Sequence, residues 1–289
     1  MAASEPMGYP WAAMARAKPS SNTVLCGVIL HPAGHTRSPA MHDAAFEALG
    51  IDAAYVAFDV PPDQLAPAIG GMRSLGIRQL AVSIPHKLAV MDLVDEVEET
   101  ARRIGAVNTI TREDDRLVGS NTDWLGVVEA LEQHGSARLE GSRAVVLGAG
   151  GAARAAVYGL RDRGADVHVL NRTEARAAGL AKELGARDSG PLERLEALEY
   201  DVLVNTTSVG LREDASPIEA GWIRKDAIVL DAVYDPAETR LLREARDRGA
   251  VPIPGKWWLV HQAAAQLERW TGERAPVEVM ARAFDAAGR

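Results

Sequence analysis

From Val24 onward, short apolar runs alternate with stretches in which apolar positions recur every three or four residues. The first pattern predicts strands over Val24–Leu30, Ala53–Phe58 and Gln79–Ile84. The second predicts helices over Pro39–Leu49, Pro62–Leu75 and Val97–Ile104. Val107–Thr111 and Arg116–Gly119 read as a hairpin, with Glu113-Asp114-Asp115 as its turn. A helix over Asp123–Gln133 leads into a second series of strands: Ala144–Leu147, Asp166–Leu170, Asp201–Val204, Ala227–Leu230 and Val251–Ile253. Between these strands the helical period runs up to Arg163, over Glu174–Leu184 and over Glu238–Arg248. Helices over Lys256–Trp270 and Pro276–Ala286 close the chain. Such alternation predicts an α/β protein built on parallel-rich sheets.

The 289 residues suffice for two α/β domains of ~100–150 residues each. A net charge of −8 argues against a broad nucleic-acid-binding face. No apolar run approaches the ~20 residues needed to span a bilayer, so no membrane partner is expected. The single cysteine, Cys26, excludes an intrachain disulfide and a thiolate metal cage. It lies in an apolar run and reads as a buried, inert thiol. His31, His35, His42 and His86 are scattered without carboxylates at ligand spacing, so no metal is expected. In Met1–Asn22, Arg16 and Lys18 follow the mildly apolar middle, the reverse of a signal peptide. Residues 1–23 therefore read as a flexible tail or a start-site artefact with no export role, and the protein as cytoplasmic.

Gly148-Ala149-Gly150-Gly151-Ala152-Ala153 stands directly between an apolar strand and an alanine-rich helix. In that context Gly148 permits the tight turn and Gly150 lets the backbone approach a pyrophosphate. Ala153 allows close helix–strand packing, and the helix start supplies amide donors. Dinucleotide binding is the favoured reading; a purely structural turn is the plain alternative. At the end of the next strand, where an acid would hold a ribose 2′-hydroxyl, the chain reads Asn171-Arg172-Thr173-Glu174-Ala175-Arg176. Arg172 and Arg176, with the Thr173 hydroxyl, suit a 2′-phosphate and point to NADP. Ordinary surface arginines at a helix start are the alternative.

The first series offers polar residues at strand ends and loops: Thr36 and Ser38, Ser83 and Lys87, Asn108, and Asp123. Each has a plain reading by itself. Lys87 suits a surface, and both Asp123 and Ser38 suit helix caps. Their company changes the picture. His35-Thr36-Arg37-Ser38-Pro39, Val82-Ser83-Ile84-Pro85-His86-Lys87, Gly105-Ala106-Val107-Asn108-Thr109 and Asn121-Thr122-Asp123 are followed by the glycine motif and Asn171-Arg172-Thr173. Asn205-Thr206-Thr207-Ser208-Val209-Gly210 and the segment Gly255 to Gln262 complete the order. Over Val24 to Ala286 this chain resembles the shikimate dehydrogenase family.

The resemblance implies a substrate domain of residues 24–122 and 256–289 and a Rossmann-type domain of residues 123–255, with the C-terminal helices returning to the substrate domain. It implies NADP-dependent reduction of 3-dehydroshikimate to shikimate, a step of aromatic amino-acid (chorismate) biosynthesis. Lys87 would donate the proton, with Asp123 beside it favouring the ammonium form. The reverse oxidation needs neutral Lys87 and is expected to quicken as pH rises. Asn108 and Gln262 would bond ring hydroxyls, while Thr36 and Ser38 would hold the carboxylate; Ser83 and Tyr234 would line the same pocket. Gly148, Ala149, Gly150, Gly151, Ala152, Asn171, Arg172, Thr173, Arg176, Thr206, Ser208 and Gly255 would contact the cofactor. The enzyme would be a monomer or homodimer.

Four positions depart from the family pattern: Thr36 for Ser, Ser83 for Thr, Ala81 for Asn near the site entrance, and Trp258 for Met near the nicotinamide. They motivate a rival reading in which quinate or an amino-substituted analogue is the substrate. Trp258 would stack on or crowd the cofactor, or else turn into the core. A non-catalytic sensor of dinucleotide and substrate is the alternative of another class, and retention of both Lys87 and Asp123 argues against it.

Overall fold

The computed structural model describes residues 19–34 and 36–288. The tail reading over residues 1–18 and the histidine at position 35 lie outside the described residues. At the end of that tail, Ser20 and Thr23 donate hydroxyl hydrogen bonds to Asp52, at 3.1 and 2.7 Å. Ser20 and Thr23 are thereby tied to the residue that precedes β2.

The first half builds one six-stranded sheet. Its strands are β1 (Val24–Leu30), β2 (Ala53–Asp59), β3 (Gln79–Val82), β4 (Glu96–Val97), β5 (Thr109–Glu113) and β6 (Arg116–Ser120), in the order β2-β1-β3-β5-β6-β4. β1 pairs in parallel with β2 and β3, while β5 is antiparallel to both β3 and β6. The side-chain period of two divides the sheet between two cores. Val28 and Ala81 face one side, where α1 (Ser38–Leu49), α8 (Gly255–Thr271) and α9 (Val277–Ala286) cover them. Ile29, Leu80 and Val82 face the other side, against α2 (Leu65–Ser74). The C-terminal helices therefore return to the first sheet, as expected.

The second half carries α4 (Asp123–Glu129), β7 (Arg143–Leu147), α5 (Gly151–Asp162), β8 (Asp166–Leu170), α6 (Glu174–Leu184) and β9 (Asp188–Gly190). It continues with β10 (Val202–Asn205), β11 (Ile228–Asp231), α7 (Arg240–Asp247) and β12 (Val251–Ile253). These strands form an all-parallel sheet in the order β12-β11-β10-β7-β8-β9. That is the doubly wound order, with its direction reversing between β7 and β10. Val146, Val169 and Val204 meet α4, α5 and α6 on one face; Leu147, Leu203 and Val229 meet α7 on the other.

Several boundaries moved for local reasons. The strand predicted to Ile84 stops at Val82, because Pro85 cannot continue a ladder. Val97 belongs to β4, paired with Gly119, so the helix begins at Glu99 (α3, Glu99–Ile104). The Pro62–Leu75 helix opens with a 3₁₀ turn, and the Asp123–Gln133 helix loosens to a π turn over Ala130–His134. The hairpin strands are Thr109–Glu113 and Arg116–Ser120, around a turn in which Asp114 takes φ +53°. β9, with the sequence Asp-Ser-Gly, carries no apolar signal at all.

Two contacts seat the halves on each other. Arg154 of α5 donates to the Ile104 carbonyl at 2.5 Å and lies over Gly105, which takes φ +72°. Trp258 of α8 turns into the second half's core, the one under α4, α5 and α6 (the second core), and packs against Gly126 of α4.

His42 of α1 is buried and stacked on Tyr55, with ring centroids 4.0 Å apart. Burial drives its pKa from 6.5 down to about 3. The native state therefore refuses a proton that the unfolded chain accepts below pH 6.5, and stability falls as pH drops. Between pH 6.5 and 4 this costs about 3 kcal/mol. His42→Phe is expected to keep the stack and move the acid-unfolding midpoint to lower pH. Superimposable acid-denaturation curves would refute that account.

Candidate active site

The topology gathers the polar residues of the first half at one edge of its sheet. β1, β3 and β6 end there and β5 begins there. The turn after β3 carries Ser83 and Lys87, and the backbone bonds Val82 N to Asn108 O (2.7 Å) and Val107 N to Lys87 O (2.8 Å) hold it to the start of β5. Buried His86 anchors the same turn to the Val60 carbonyl at 2.7 Å.

Lys87 Nζ lies 2.5 Å from Asp123 Oδ2, with the two side chains 14% and 7% exposed. So little water makes the pair costly unless its remaining polar atoms are bonded. Asn108 Nδ2 meets that need by donating to Asp123 Oδ1 at 2.9 Å, and it also lies 3.3 Å from Gln262 Oε1. The Asp123 N–H donates to Asn121 Oδ1 (3.0 Å), and Thr122 Oγ1 donates to the Gln262 carbonyl (3.0 Å). Lys87, Asp123, Asn108 and Gln262 thus meet, although Gln262 is distant in sequence.

The cap readings are corrected. Thr122 holds the N-cap position of α4, which frees the Asp123 carboxylate for Lys87. Arg37 holds that of α1, and neither helix has a side-chain cap. Ser38 instead pairs with Thr36: the Thr36 hydroxyl donates to Ser38 Oγ at 3.2 Å. Ser83 is half-buried on the turn. Tyr234 comes from the loop after β11 and packs edge-on to Phe284, at 5.8 Å between centroids. Burial pushes its hydroxyl up to about 12. Two departures leave the pocket altogether. Ala81 sits inside the sheet between Val28 and Thr109, so it is not at a site entrance, and Trp258 is buried in the second core.

The second set of residues surrounds the switch point of the parallel sheet, the usual crevice for a ligand. Gly148 adopts φ +112°, and a Cβ there would collide with Thr206 Oγ1. Thr206 in turn donates to the Leu147 carbonyl through both N (2.9 Å) and Oγ1 (2.6 Å). Gly150 caps α5 in an extended conformation, with open space where its Cβ would be. A phosphate can therefore approach the helix start. Ala149 and Ala152 are half-buried beside that turn, and Ser208 is exposed on the loop after β10. A Cβ on Gly151 would lie 3.3 Å from Lys87 Cβ and Cδ, so the glycine turn and the Lys87 turn are in contact.

Asn171 follows β8 and donates to the Thr173 carbonyl at 2.9 Å. Arg172 and Arg176 are exposed, and among the described residues neither guanidinium has an ion pair. The Thr173 hydroxyl is not used as a cap. Two uncommitted cations and a free hydroxyl fit a 2′-phosphate. Gly255 has a packing explanation: a Cβ there would meet the carbonyl oxygens of Asp231, Ala232 and Val233 at 2.5–2.8 Å. Among the described residues no cluster of three or more His, Cys, Asp or Glu side chains could hold a metal.

The matches to known proteins follow the same division. Residues 28–110 match the shikimate dehydrogenase substrate binding domain, 129–212 shikimate / quinate 5-dehydrogenase, and 259–283 the shikimate 5′-dehydrogenase C-terminal domain. The shikimate dehydrogenase (NADP(+)) of Haloarcula marismortui is 48% identical over 88% of this chain and 96% of its own. The chain belongs to the shikimate dehydrogenase family. Among solved structures of the family, one in complex with NADP+ superposes with a TM-score of 0.90 and 37% identity, covering 96% of this chain and 99% of that one. The Thermus thermophilus enzyme, in complex with NADP(H) and shikimate, gives 0.86 and 40% over 92% of this chain and 100% of that one.

Sequence reasoning missed Asp231. It is fully buried at the end of β11 and accepts from Asn205 Nδ2 (2.8 Å), Val233 N (3.0 Å) and Thr239 Oγ1 (2.6 Å), tying the crevice loops together. An aspartate ending an apolar strand was its only mark. Burial raises its pKa from 3.8 to about 6. The native state then keeps a proton that the unfolded chain releases from about pH 4 upward, so this group's contribution declines as pH rises to 6 and is flat above. The decline amounts to about 3 kcal/mol. Asp231→Asn is expected to abolish that slope in denaturant titrations at pH 4 to 7. An unchanged slope would reject the assignment.

Proposed function

We propose that this chain catalyses the NADP-dependent, reversible reduction of 3-dehydroshikimate to shikimate, as a cytoplasmic enzyme of aromatic amino-acid biosynthesis. The observation that carries the reading is the Lys87–Asp123 pair at 2.5 Å, packed against the glycine turn at the start of α5. It brings a proton donor to the mouth of a dinucleotide crevice. NADPH, when bound, supplies the hydride to the carbonyl carbon.

The remaining work belongs to the chain. Lys87 hands a proton from its ammonium to the forming alkoxide oxygen, and Asp123 holds the ammonium in place. Asn108 and Gln262 bind ring hydroxyls, while the linked hydroxyls of Thr36 and Ser38 receive the substrate carboxylate, with Ser83 and Tyr234 alongside. Gly148 to Ala152 cradle the pyrophosphate, with Thr206, Ser208 and Gly255 around the crevice. Asn171, Arg172, Thr173 and Arg176 take the 2′-phosphate. Residues 24–122 and 256–289 act as the substrate domain and residues 123–255 as the dinucleotide domain.

Ala81 and Trp258 are both buried in packed clusters. They leave Thr36 and Ser83, one methyl group gained and one lost, as the pocket's departures. Changes of that size are worth about 1–3 kcal/mol in discrimination.

Purified protein is expected to reduce NADP with shikimate and to be much slower with quinate. Lys87→Ala should lower kcat by about 10²–10⁴-fold. Arg172→Ala and Arg176→Ala should each raise KM for NADP by about tenfold, with NAD little affected. NADP binding without turnover on shikimate would reject the reading.

A further inference from the structure

The orientation of Asn108 is critical to the pair, yet an amide has an oxygen and a nitrogen of nearly equal size at its two ends. Its neighbours must decide which end faces Asp123. Asn108 Oδ1 accepts from the Thr122 N–H at 2.8 Å and from the Thr109 hydroxyl at 2.8 Å. The backbone N–H can only donate. The hydroxyl can donate or accept, so its direction depends on what else surrounds it.

Its other partner is Gln266, one helical turn beyond Gln262 on α8 and 1% exposed. Its Nε2 donates to Thr109 Oγ1 at 3.0 Å and to the Asn108 carbonyl at 3.3 Å. The second bond keeps the nitrogen end of Gln266 turned this way, because a main-chain carbonyl can only accept. Buried Gln79 in β3 secures the helix from below, donating to the Gln266 carbonyl at 2.8 Å.

We propose that Gln266 is a positioning residue for the catalytic pair. By donating into a lone pair of Thr109 it leaves the single Thr109 hydroxyl proton for Asn108 Oδ1, which joins the Thr122 N–H in holding the Asn108 nitrogen against Asp123. A flipped Asn108 would set its oxygen against Asp123 Oδ1 and drive the carboxylate away from Lys87. The chain of directions then runs from Gln266 through Thr109 and Asn108 to the carboxylate that receives Lys87. This inference rests on the proposed reaction for its kinetic consequence, while the amide orientation stands apart from it.

The test compares the full-length protein with Gln266→Met, Thr109→Val and Thr109→Ser, using shikimate and NADP across pH. Gln266→Met and Thr109→Val are expected to lower kcat about tenfold and to shift its pH profile, with KM for NADP within about twofold of the parent. Thr109→Ser keeps the hydroxyl and should recover most of the rate. Parental kcat and pH profile in both disabling variants overturn the proposal. So does a Thr109→Ser variant as slow as Thr109→Val at equal melting temperature, since packing alone would then explain the loss. Should the parent not turn over shikimate, the proposed reaction fails. The side-chain amide resonances of Asn108 then give the answer: a change in Gln266→Met supports the positioning role, and unchanged resonances refute it.

Discussion

Lys87 and Asp123 face each other across 2.5 Å with little of either side chain exposed, and much of the surrounding structure makes that contact tolerable. Two charges taken out of water gain from each other only if geometry is good and every remaining polar atom is bonded. Here the second carboxylate oxygen is taken by Asn108 and the aspartate N–H by the Asn121 side chain. Asn108 stands just before β5, Asn121 in the short loop that leads into α4, and Lys87 on the turn after β3. The pair is therefore a property of the sheet edge and of α8, and its geometry depends on both being in register.

Helix α8 is the element that joins the site to the fold. Trp258 enters the second core, Val260, Ala263 and Leu267 enter the first, and Gln262 and Gln266 face the polar seam between them. Trp258, Gln262 and Gln266, four residues apart, share one stripe of the helix, and Val260, Ala263 and Leu267 lie on the opposite side. Arg154, reaching from α5 to the Ile104 carbonyl, braces the other side of the seam. The contact of Gly151 with Lys87 follows from these two attachments, and it brings the two halves of the chemistry together.

Much of this was legible in the order of residues. Strands buried on both faces read as unbroken apolar runs, and Asp166–Leu170 and Glu174–Leu184 are where the pattern predicted them. Gly148 declared its turn because few other residues adopt φ +112°. Asp231 was invisible for the opposite reason: one aspartate at a strand end looks like any other until burial and three donors surround it. β9 escaped notice because Asp-Ser-Gly owes its extended form to the neighbouring strand β8 and not to its own composition.

The sequence by itself determined the elements, the two α/β series, the glycine turn and the residue types able to do the chemistry. These depend on local sterics and on hydrophobic period, which neighbouring residues express without help. The tertiary structure alone decided which polar residues meet. Gln262 reaches Asn108 across 154 positions because α8 returns to the first sheet, and Asp123 serves Lys87 because Thr122 takes the cap position in its place. Trp258 and Ala81 belong to packing and not to the pocket for the same reason. Burial, hydrogen-bond direction and contact arise only when distant segments close on one another, and no local pattern encodes them.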